Sequence, residues 1–131
     1  MAARGTAWEK YVPAQSTYSD DVSRYNAGIA AWNSQKDTMP EPDKTNCFIA
    51  LSNAYNALNS ESTKINNAYG HVAAGDTAVT AGDNEPNMMI KVMNYNNGKD
   101  HFNAASTSSD EAAAPHTSFA SDMTTAESYL T

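Results

Sequence analysis

The sequence predicts an all-α protein: an antiparallel up-down four-helix bundle with an extended N-terminal arm. Three observations lead there. Over most of the 131 residues, apolar side chains recur at alternating three- and four-residue steps, the spacing that aligns them on one face of a helix. Prolines and glycines break the pattern only in short clusters. Strand signals, alternating apolar and polar residues over short runs, are nearly absent. The organisation expected is an arm over residues 1–17 and a helical bundle domain over residues 18–131, a length that buries a real core.

Residues 1–17 show no sustained period. Pro13 pushes Val12 toward extended geometry, and Gln15-Ser16-Thr17 has the composition of a loop. Trp8, Tyr11 and Val12 are costly to leave in water, so the arm either folds back on its own domain or docks on a neighbouring subunit. Arg4, Trp8, Tyr11 and Val12 are the expected subunit contacts.

Ser19 then stands as an N-cap, with Asp20 and Asp21 in a first turn where acids favour the helix dipole. Tyr18, Val22, Tyr25, Ile29 and Trp32 form the stripe, and Met39-Pro40-Glu41-Pro42 ends it. The longest run starts after a capping Thr45. It carries Phe48, Leu51, Tyr55, Leu58, Ser62, Ile65, Tyr69 and Val72 on one face and reaches about residue 80. Gly82 to Pro86 reads as a turn. Asn87 can cap a third helix with Met88, Val92, Tyr95 and Phe102 on its stripe, weakened at Asn96-Asn97-Gly98. Residues 106–116 read as a linker. The last helix runs from Thr117 to Tyr129, with Phe119, Met123, Ala126 and Leu130 inward. The core expected is Val22, Tyr25, Ile29, Trp32, Phe48, Leu51, Tyr55, Leu58, Ile65, Tyr69, Val92, Tyr95, Phe102, Phe119 and Met123.

Charge excludes some partners. A net charge of −7 and a pI of 4.7 argue against nucleic-acid or anionic-membrane binding through a broad basic face. After Lys99 the chain has no Lys or Arg, while Asp100, Asp110, Glu111, Asp122 and Glu127 remain. No apolar run approaches the roughly 20 residues of a membrane span. Residues 1–12 lack the apolar segment of a secretory signal.

Chemical signatures are missing. A bundle that holds haem or a metal pair needs His or Glu at helical spacing, such as Glu-x-x-His. His71, His101 and His116 have no such neighbour and read as structural or solvent-facing. Cys47, the single cysteine, reads as a small buried apolar residue. Gly75-Asp76 and Gly82-Asp83-Asn84-Glu85 lack the alternation of a calcium loop, and no glycine-rich phosphate loop is present. The expectation is no catalytic residue, no cofactor, no metal and no enzymatic activity.

Leucine appears only at Leu51, Leu58 and Leu130, while Ala, Asn, Ser and Thr are abundant. Helix faces built from such residues give up propensity and are easier to explain where neighbouring molecules cover them. With an aromatic arm, few basic residues and one cysteine, the chain resembles small helical subunits of viral particles, phage tails or extracellular filaments. That resemblance implies a structural subunit that self-assembles, its arm contacting neighbours. Its partners would be its own copies and other structural proteins of the assembly, and its location a virion or an extracellular assembly. The alternative is a monomeric helical adaptor or secretion-partner module, cytoplasmic, with Met88, Met89 and Met93 as adaptable contacts.

Overall fold

A computed structural model describes the chain from Met1 to Thr131. It is all-helical, as expected, with no strand. The elements are α1 (Ala2–Gln35), α2 (Asp43–Asp83), α3 (Met88–Glu111) and α4 (Ala113–Glu127). Two features of the expected four-helix bundle are corrected.

The first is the arm. Residues 2–17 are not extended; they form the first half of α1, which passes through Pro13 without ending. Positions 7, 11, 14, 18, 21, 25, 28 and 32 are all buried or half-buried, so one inward register runs through the supposed arm and the supposed bundle helix alike. Proline inside a helix costs about 3 kcal/mol through its lost N–H bond and ring clash. Packing of Ala7, Ala3 and Trp8 on the core offsets that here. Ser19 caps nothing; its carbonyl accepts a bond from Ser23 Oγ at 3.3 Å, in mid-helix.

The second is the linker at 106–116, which is helical except at Ala112. That residue keeps helical angles of φ −68° and ψ −18°, so α3 and α4 are one bent helix, and the chain has three long helices rather than four. Pro115 supplies the reason. It has no N–H to offer Glu111, four residues back, and its ring crowds that carbonyl, so the break falls at the end of α3. Inward register survives it: Phe102, Ala105, Ser109, Ala112, Phe119, Met123 and Ala126 are all buried.

Two compact units are present, one formed by Met1–Gln15 and Thr63–Ala112, the other by Ser16–Ser62 and Ala113–Thr131. In the first, Ala7, Val72, Phe102 and Ala105 make the core. Its closest approach is at Gly75, where an added Cβ would lie 2.5 Å from the Phe102 ring. Gly98 is buried in the same unit, and α3 continues unbroken through the weak point expected at Asn96-Asn97-Gly98. In the second unit, Cys47, Ala50, Leu51, Ala54, Leu58, Phe119, Met123 and Ala126 form the core. Tyr18, Val22, Tyr25, Ile29 and Trp32 pack against it half-buried.

Along α2 the expected stripe is half right. Leu51, Leu58, Ile65 and Val72 are buried, but their seam partners are Cys47, Ala54, Glu61, Ala68 and Gly75. Phe48, Tyr55 and Tyr69 are exposed by about half, as is Val92 on α3. Small residues on the seam let helices approach closely, and rings too large for it move to the flank. There the rings pair, Tyr11 with Tyr69 at 6.0 Å, Tyr25 with Tyr55 at 5.8 Å, and Trp32 with Phe48 at 6.1 Å. The helix caps also differ in part. Asn87 Oδ1 accepts from Met89 N at 3.0 Å and Ile90 N at 3.2 Å, as its position predicts. α2 instead starts at Asp43, and Thr45 donates from Oγ1 to Glu41 at 2.6 Å.

Candidate functional site

Three ionisable side chains meet inside the second unit, one from each helical segment. Asp21 comes from α1, Glu61 from α2 and His116 from the first turn of α4. Each can offer one ligand atom within 4.8 Å of the other two. All three stand on inward register positions, so helical spacing turns each of them toward the same seam. Asp21 continues the run Ala14, Tyr18, Asp21, Tyr25; Glu61 continues Ala54, Leu58, Glu61, Ile65; His116 lies between Ala112 and Phe119.

Burial sets the electrostatics. Glu61 is 1 % exposed and Asp21 is 5 % exposed, whereas the His116 side chain is 38 % exposed and opens the cluster to solvent. Nδ1 of His116 lies 2.6 Å from Oδ2 of Asp21, and an ionised Asp21 accepts the proton of that nitrogen. With both carboxyl groups ionised, neither Glu61 oxygen has a donor. Asp21 is itself an acceptor, so the two carboxyl groups can share a hydrogen bond only when one of them is protonated. Burial first, then that shared bond and the charge of Asp21, push the Glu61 carboxyl up to about 8. A core designed only for stability would fill these positions with Leu or Ala, because each buried charge loses several kcal/mol of hydration.

From the sequence Glu61 has no expected role, and Asp21 is expected only as an acid favouring the helix dipole. The first turn expected at Asp21 is the middle of α1, and the expected stripe position Ser62 lies one residue away from the buried Glu61. His116, expected to be structural or solvent-facing, has a specific partner in Asp21. The signal that could have found the cluster is an acid at a heptad position on each of two helices.

The expected subunit contacts lie elsewhere. Arg4 pairs with Asp76 at 2.6 Å and stands over Trp8 at 5.7 Å. Trp8 meets Tyr11 edge-on at 5.5 Å, and Val12 remains exposed. All these partners belong to the first unit. His71 and His101 also meet there, their Nδ1 atoms 3.2 Å apart, one donating to the other. Cys47 is fully buried, as expected. Its Sγ lies 3.6 Å from the Ala126 carbonyl, and burial pushes the thiol up. A shallow groove of 300 Å³ runs between α1 and α2 of the second unit, with Tyr25, Trp32, Phe48 and Tyr55 among its walls.

No family model, curated protein or solved structure matches this chain.

Proposed function

We propose that the chain is a non-enzymatic structural subunit that associates with its own copies through the apolar start of α3. The assembly it would build is of the virion, phage-tail or extracellular-filament kind. One observation carries this reading. Met88, Met89, Ile90, Val92 and Met93 place five large apolar side chains within six positions and none is buried; Met88 is 70 % and Met89 75 % exposed. Contiguous exposed apolar residues mark interaction surfaces, and thioether side chains adapt to the surface they meet. The contact role expected of an arm passes to α3, because Arg4, Trp8 and Tyr11 are engaged within the first unit. Copies that each carry −7 repel one another, so association through this patch strengthens as salt screens that repulsion. No helix is long and apolar enough to cross a membrane.

Light scattering on gel-filtered protein tests the reading. The expected result is a mass that rises above 14.0 kDa with concentration and with salt. The variant Met89→Asp/Met93→Asp should remain monomeric, with its circular dichroism unchanged. A monomer at every concentration overturns the proposal and favours the adaptor reading, for which the aromatic groove of the second unit is the specific support.

A further inference from the structure

The geometry points to a first-row divalent cation held by Asp21, Glu61 and His116, with one ligand from each of α1, α2 and α4. The two carboxylates and the imidazole present their ligand atoms within 4.8 Å of one another. Tetrahedral metal–ligand bonds of about 2.0–2.2 Å place neighbouring ligand atoms roughly 3.3–3.6 Å apart, so closure onto an ion draws the widest pair in by about 1 Å and opens the His116–Asp21 pair, movements that side-chain rotation supplies. The independent pointer to a ligand is Glu61. Its two oxygens are buried and turned into the cluster, where no group but a protonated Asp21 can donate to them, and an inward pair of ionised carboxylates gains from a cation what the surrounding residues do not supply.

The donor set selects the class of ion. Two carboxylate oxygens and one imidazole nitrogen suit zinc, manganese, iron(II) or cobalt. Calcium takes six to eight oxygen ligands, and magnesium prefers an all-oxygen octahedral shell that retains several waters. A doubly charged ion balances the two acids. Three protein ligands leave coordination positions for water, and the half-exposed edge of His116 supplies the way in. Elsewhere the same conditions are not met. His71 and His101 form a pair with no third ligand, and Ser109 Oγ is an orphaned but neutral hydroxyl.

Because the three ligands lie on three helices, the ion ties α1, α2 and α4 of the second unit together, and binding stabilises the folded chain by mass action. The experiment uses the full chain stripped with EDTA and titrated with Zn²⁺ by calorimetry, then with Co²⁺ by visible absorption. One ion per chain is expected, with d–d bands for cobalt and a thermal midpoint that rises with added zinc. Glu61→Gln and His116→Gln should each weaken binding at least tenfold and abolish the thermal shift, while His71→Ala leaves both unchanged. His116 is half-exposed, so its variant keeps the test readable where a change at buried Glu61 alters the fold. Absence of one-to-one saturation overturns the inference. So does binding that survives both the Glu61 and His116 variants, or that disappears in His71→Ala.

Discussion

Both units pack three helical segments around small residues, and they differ in what fills the seam. In the first, the Phe102 ring sits against Gly75 and every charged partner lies at the surface, as in Arg4–Asp76, Lys10–Asp110 and Lys64–Glu111. In the second, two carboxyl groups occupy seam positions that an apolar side chain would fill at lower free energy. Exposed ion pairs contribute about 0–1 kcal/mol each, so packing holds the first unit. The second tolerates a destabilising cluster at its centre. Cores that break the packing rule in this way do so most often where a function resides.

The largest predicted effect separates the units by pH. Glu61 has an ordinary carboxyl value of 4.5 and stands at about 8 when folded. Between those values the native chain holds a proton that the unfolded chain has released. Its contribution is therefore present in full below pH 4.5 and is lost as pH rises toward 8. The groups that face it are Asp21 on α1 and His116 on α4. With EDTA present, urea unfolding at pH 5, 7 and 9 should show this decline in the native chain. Glu61→Gln cannot ionise and should be flatter with pH and more stable at pH 9. Parallel pH profiles for the two proteins would show that Glu61 is not what sets the second unit apart.

The next effect compares the glycine contacts. A Cβ at Gly75 would meet three atoms of the Phe102 ring between 2.5 and 2.8 Å, and that ring is fully buried. A Cβ at Gly28 would meet the terminal Cε of Met123 at 2.7 Å, the mobile end of a flexible chain. Gly75→Ala should therefore destabilise by about 2–3 kcal/mol and Gly28→Ala by about 1 kcal/mol or less, since a rigid ring cannot yield and a thioether can. Chemical denaturation of both variants at one pH measures the difference. Equal losses would mean that the ring in the first unit repacks as readily as the methionine in the second.

Helicity and the inner half of each stripe were legible in the sequence. Leu51, Leu58, Ile65, Val72, Phe102, Phe119 and Met123 are buried where the three-four spacing puts them. The other half of the long stripe was displaced by one residue, because hydropathy ranks Phe48, Tyr55 and Tyr69 above Cys47, Ala54 and Ala68. Close helix approach reverses that ranking by favouring small side chains. The same displacement hid Glu61. Asp21 was hidden by its neighbours, since Ser19-Asp20-Asp21 has the composition of a helix start and local propensity says nothing of a register that arrives from Ala7. His116 lay in a stretch whose serines and Pro115 read as a linker. Each miss came from weighing local composition above a period that ran through it.

Pro13 is the sharpest example and yields the smallest of the predicted effects. Local chemistry ends a helix there, and α1 continues. Ala7 and Trp8, packed on Val72, Phe102 and Ala105, hold the first turns in place despite the missing bond to the Glu9 carbonyl. Pro13→Ala restores an N–H and removes the ring clash, worth about 3 kcal/mol in an unrestrained helix. Part of that is offset because alanine gives the unfolded chain more freedom. The net expectation is a gain of about 1–2 kcal/mol, with slower hydrogen exchange in residues 3–16 and little change in α4. A loss of stability would mean that the Pro13 ring itself contributes to the first unit, and that the continuity of α1 depends on the proline rather than overcoming it.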